Sequence, residues 1–134
     1  MPAPDFAPEK HFVSSFVRKA RRDRIMHELT TPAKRYDGLD RFCHQTPDFL
    51  DMSKVFLQGD DLERLPAFRS FVASHNGPCV LLSPDSFVDG EILPLKEAVE
   101  KAIMSMDAVI VLGSTFAVVF GEVMKTRDKF LLVE

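Results

Sequence analysis

Ala108-Val109-Ile110-Val111-Leu112-Gly113-Ser114-Thr115-Phe116-Ala117-Val118-Val119-Phe120 is the stretch that decides the architecture. Two runs rich in β-branched and aromatic residues flank a Gly-Ser-Thr interruption. That pattern predicts an antiparallel hairpin, with Gly113 supplying the positive φ of a type II′ turn. The competing reading turns the chain from strand into helix at 113–115, aiming backbone N–H groups at a phosphate and making Ser114 a ligand-binding residue. Val118 and Val119, set between Phe116 and Phe120, favour the strand.

Working outward, Phe130-Leu131-Leu132-Val133 reads as a closing strand, and Cys79-Val80-Leu81-Leu82 as a buried one. Between the latter and the hairpin, Leu95, Ala98, Val99, Ala102, Ile103 and Met106 keep an i, i+3, i+4 stripe. A helix is expected to start at Pro94, with Glu97 and Lys101 paired on its wet side. Strand 79–82, this helix and strand 108–112 suggest one βαβ unit with a parallel pair. Val55-Phe56-Leu57 is a further short strand, and a helix is expected over 66–75, stopped by Asn76-Gly77-Pro78.

The first 46 residues have a different texture. Residues 1–8 read as an extended, proline-rich arm. Phe12, Val13, Phe16, Val17 and Ala20 form one apolar stripe, and Ile25, Met26 and Leu29 form another on the opposite side. The mismatch predicts two helices, 9–18 and 20–30, broken near Arg18–Arg22. Thr31-Pro32 then places a capping hydroxyl ahead of a proline. The helix that follows ends near His44, with Tyr36, Leu39, Phe42 and Cys43 on its apolar side and Arg35 and Arg41 opposite.

The expected fold is therefore α+β. A helical portion (1–46) packs on a mixed, largely antiparallel sheet of four to five strands (47–134), with helices on one face of that sheet and the whole chain forming one domain. The size and balance support this: 134 residues, 46% hydrophobic and 28% charged, bury roughly two-thirds of the unfolded surface. They exclude wholesale disorder, a collagen-like repeat and a disulfide scaffold.

Net charge is −3, with +3 in residues 1–46 and −6 in residues 47–134. Bulk charge does not suit a general nucleic-acid binder, whereas the polarity suits contact with an oppositely charged surface. Cys43 and Cys79 lie far apart without CxxC spacing, which fits a reducing, cytoplasmic setting. No signal-peptide pattern opens the chain, and no apolar run approaches the ~20 residues of a membrane span. No membrane partner is expected.

Three groups of residues carry possible chemistry. In the loop 83–91, Asp85, Asp89 and Glu91 are acid/base or Mg²⁺-binding candidates, with Ser83 and Ser86 as ligand contacts. The same residue types are also ordinary turn formers, and no phosphate-loop pattern accompanies them. Arg18, Lys19, Arg21, Arg22 and Arg24 form a basic patch able to track phosphates. It lacks interleaved aromatics, so pairing with the acidic second half or plain solvation competes.

The four histidines show no metal spacing. His27-Glu28 and Cys43-His44 each offer one ligand at most, because helical neighbours diverge, and the same divergence argues against a Cys43–His44 catalytic dyad. No cofactor or metal is expected. Arg127-Asp128 reads as a turn. Some of the twelve Phe residues are candidates for an exposed, dimer-forming sheet face.

With no convergent catalytic set, the leading expectation is a non-enzymatic cytoplasmic binding or regulatory module, self-associating or joined to another protein. Its alternatives are a nucleotide, small-ligand or metal-dependent enzyme at loop 83–91, and weak nucleic-acid binding through Arg18–Arg24.

Overall fold

A computed structural model describes residues 6–121 and 129–134. Residues 1–5 of the N-terminal arm and the whole Arg127-Asp128 turn, within 122–128, lie outside them.

The opposed stripes of the N-terminal region produce two helices, as expected. Helix α1 (Ala7–Phe16) buries Phe12, Val13 and Phe16. The chain then extends through Val17, which bridges to Leu50, and passes a 3₁₀ turn (Lys19–Arg21) into α2 (Arg22–Leu29). The extended segment re-aims α2, so Ile25 and Leu29 reach the core that α1 reaches from the other side. Helix α3 (Pro32–His44) and the short α4 (Thr46–Phe49) complete this layer.

Two details of α3 depart from expectation. Thr31 makes no side-chain cap; its carbonyl accepts the Lys34 N–H instead. Tyr36 is 62% exposed, and Arg35 is the residue that turns inward. Both positions border the apolar stripe, and Arg35 takes the inner one because two carboxylates await it there.

The remaining strands are β1 (Val55–Gln58), β2 (Pro78–Leu82), β3 (Ile92–Pro94), β4 (Val109–Leu112), β5 (Phe116–Phe120) and β6 (Lys129–Val133). They form one sheet in the order β1-β6-β5-β4-β2-β3, and every adjacent pair is antiparallel. The sheet thus has six strands rather than four or five. Helix α5 (Pro66–Ser74) links β1 to β2, and α6 (Leu95–Met104) links β3 to β4.

The β4–β5 hairpin forms, with Leu112 opposite Ala117 and the Gly113 N–H bonded to the Phe116 carbonyl. Gly113 is not there for a positive φ, which only Gly59 and Gly90 show among the described glycines. It is there for space: a Cβ at 113 would lie 2.3 Å from Cζ of Phe116, whose ring rests on the bare Cα.

The expected parallel pair does not exist. Strand β3, too short and too exposed to announce itself, reverses the chain after β2. Helix α6 therefore carries the chain from β3 back across β2 to β4, and β2 lies antiparallel to both.

Helices cover both faces of the sheet, not one. Val80, Leu82, Ile110, Leu112, Ala117, Val119, Phe130 and Leu132 face α1–α4. Cys79, Leu81, Val109, Val111, Phe116, Val118, Phe120 and Leu131 face α5 and α6. Strands without polar alternation, such as VIVL and FAVVF, follow directly, since neither face meets water. Among the described residues no exposed aromatic sheet face remains for dimerisation; the exposed phenylalanines are Phe56, beside the irregularity in β1, and Phe87, in the 83–91 loop. Among the described residues no helix is long and apolar enough to cross a membrane.

Candidate functional site

Loop 83–91 joins β2 to β3, and its polar residues bond inward. Ser83 is buried; its hydroxyl donates to the Ala108 carbonyl at 2.7 Å and accepts the Asp85 N–H. Asp85 accepts the Phe87 N–H at 2.9 Å. Asp89 receives a two-pronged guanidinium contact from Arg35, Nε and Nη2 each at 2.9 Å, and also the Ser83 N–H. Glu91 pairs with Lys101, which takes that lysine away from Glu97. Ser86 is exposed. The three carboxylates thus point to three different partners and do not converge on one point.

Arg35 also donates from Nη1 to buried Glu9 at 2.6 Å and to the Leu29 carbonyl at 3.0 Å. One guanidinium therefore joins α1, the end of α2, α3 and loop 83–91. Its hydrogen bond to Asp89, outweighing the opposing effect of burial, holds it charged even more firmly than usual. Arg35 of the first portion does pair with Asp89 of the acidic second portion, whereas among the described residues no salt bridge joins the run 18–24 to residues 47–134.

The basic run is dispersed by its own geometry. Arg18 donates to the carbonyls of Pro47 and Leu50, and Arg22 to that of Val17. The Arg21 guanidinium lies 5.5 Å from the Phe49 ring centre, Lys19 is exposed, and Arg24 reaches Glu28. Ser114 is exposed at the hairpin tip.

The two cysteines are buried and in no disulfide, with burial pushing the Cys79 thiol up; His44, next to Cys43, is exposed. Among the described residues no group of three His, Cys, Asp or Glu side chains is placed to hold a metal.

A recess of about 730 Å³ lies on the other helical layer, between α5 and α6. Helix α5 contributes Arg69, Val72 and Ala73, with Asn76 just past its end, and α6 contributes a stripe at i, i+3, i+4, i+7: Lys96, Val99, Glu100 and Ile103. Phe68 and Leu95 form apolar floor between them, and Glu63 stands at the rim. Glu63 is fixed by Lys129, whose Nζ lies 2.9 and 2.8 Å from its two oxygens; burial raises this carboxyl, but the lysine outweighs that and holds it below the usual range.

His75 also borders the recess. It stacks on Phe71 with ring centres 4.0 Å apart and meets the edge of Phe116. Its Nδ1 lies 2.7 Å from the Phe71 carbonyl, a contact that only a protonated Nδ1 can make, so in the neutral ring Nε2 carries the lone pair.

The apolar stripe of α6 leaves the core at Ile103, and the helix ends at Met104, so Met106, the last residue of the expected stripe, lies beyond it. Met104 and Met106 are 81% and 92% exposed.

Scans against protein-family models, curated proteins and solved structures find no match to this chain.

Proposed function

We propose that this chain is a cytoplasmic protein-interaction module that binds a second copy of itself through the α5–α6 face. The observation carrying this reading is an apolar-lined recess whose last α6 residue is followed in the chain by two exposed methionines. Val72, Ala73, Val99 and Ile103 line the recess, and Met104 and Met106 come just after Ile103. A two-fold interface needs both halves on the same patch, because each copy must offer what the other receives. Unbranched methionine side chains adapt readily to such a recess.

Charge supports the same occupant. Lys96 and Glu100 lie one turn apart on the recess side of α6. Antiparallel packing of α6 against its symmetry mate sets Lys96 of each copy opposite Glu100 of the other. The enzyme and nucleic-acid readings draw less support, since the loop carboxylates and most of the basic run already have partners within the chain.

Size-exclusion chromatography with light scattering tests the proposal. The expected result is a dimer at high micromolar concentration and a monomer for the Met104→Glu/Met106→Glu variant, with unchanged circular dichroism. A wild-type chain that stays monomeric, or a dimer indifferent to both substitutions, overturns it.

A further inference from the structure

A second recess, of about 340 Å³, opens on the opposite helical layer and is lined entirely by charged or ionisable side chains: Arg24, His27 and Glu28 from α2, and Lys34, Asp37 and Arg41 from α3. We infer that this pocket binds a phosphate monoester.

The pocket exists because the two helices approach closely. Gly38 of α3 lies against Glu28, where a Cβ would come within 2.7 Å of the Glu28 Cβ. That approach buries Glu28, whose side chain is only 8% exposed. The buried carboxylate anchors two guanidiniums: Arg24 Nε at 3.0 Å, and Arg41 Nη1 at 2.6 and 2.9 Å from its two oxygens. Each arginine thereby contacts Glu28 through a single nitrogen. Both Nη groups of Arg24, and the Nη2 and Nε groups of Arg41, have no hydrogen-bond partner among the described residues. Lys34 Nζ, 3.5 Å from His27 Nε2, is the third cation.

Three cations against Glu28 and Asp37 leave the pocket net positive with His27 neutral. Its donors come from three side chains on two helices. A tetrahedral group with three exposed oxygens can use three such directions, whereas a planar carboxylate offers two oxygens in one plane. The Arg41 guanidinium, already bonded to both oxygens of Glu28, loses little freedom on binding, which favours the bound state. The volume exceeds that of a bare phosphate and leaves room for the group that the ester carries. Only Arg24 of the basic run takes part; its other members bond elsewhere or lie outside the pocket.

Amide chemical shifts followed by NMR at low ionic strength, with ribose 5-phosphate as probe and ribose as control, test the inference. Arg24→Gln and Lys34→Gln are the variants of choice, since Arg24 is 72% exposed and Lys34 is exposed, so neither supports the core. Expected are saturable shifts confined to residues 22–44, none with ribose, and at least fivefold weaker binding in each variant. No saturation by about 10 mM, an affinity too weak to count as a site, overturns the inference. So does binding that both variants retain, or tighter binding of a single-stranded oligonucleotide than of ribose 5-phosphate, since that indicates a polyanion-tracking surface. The probe involves neither the α5–α6 face nor dimerisation, so this result and the preceding one are independent.

Discussion

Position 38 shows how one missing methyl group organises two helices. In an isolated helix, Gly38→Ala is favourable by roughly 1 kcal/mol. Here the added Cβ would lie 2.7 Å from the Cβ of Glu28 and 2.8 Å from its carboxylate, so α2 and α3 must part. We expect Gly38→Ala to lower stability in urea unfolding despite its better propensity, by about 1–3 kcal/mol as for other overpacked sites. Arg35 is the second decisive residue. Its side chain is 18% exposed, and Glu9 and Asp89, both largely buried, depend on it. Arg35→Met strands two carboxylates, and a loss of about 3 kcal/mol or more at neutral pH is expected from the same unfolding measurement. Arg24→Ala, by contrast, removes a 72% exposed partner and is expected to cost less than about 1 kcal/mol. Neither the crowding at 38 nor the inward turn of Arg35 was legible in the sequence, because both depend on residues ten or more positions away.

At the scale of elements, the α2–α3 hairpin and the β1–β6 edge are each tied by a carboxylate. Burial pushes the carboxyls of Glu28 and Glu63 up, but Arg41 with Arg24 and Lys129 respectively outweigh it and hold both below their ordinary value. A carboxyl depressed in the folded state contributes stability that is complete above its unfolded pKa, about 4.3 for glutamate. That contribution disappears as pH falls through the lower folded value. The urea midpoint should therefore drop on acidification below about pH 4.3, and Glu28→Gln and Glu63→Gln should each flatten that drop.

The strands differ in the same graded way. Strand β5 is paired along five residues with β6 and four with β4, whereas β3 pairs three residues with β2 alone and exposes Ile92. Hydrogen exchange should be slowest at Val118 and Val119 and much faster in β3; equal protection of the two strands would contradict this grading. Most element boundaries were readable from apolar period, proline and glycine. Strand β3 was not, because three residues ending in proline carry no period.

For the molecule as a whole, the layer order rests on alternation within the strands. Neighbouring residues of β4, β5 and β6 enter different cores, and each core is closed by its own group of helices. The two recesses lie on opposite helical layers, one with many apolar lining residues and one lined by charged or ionisable residues.

What the sequence determined by itself was local. The break between α1 and α2, the span of α3, the β4–β5 hairpin and the α+β class all follow from interactions within a few residues. Tertiary structure alone decided that the sheet is antiparallel throughout and covered twice, that Arg35 binds Asp89 across 54 positions, and that the α6 stripe leaves the core at Ile103. The physical reason is range. Backbone propensity and side-chain period act between near neighbours, whereas burial, ion pairing and close helix approach are fixed only when distant segments compete for the same space.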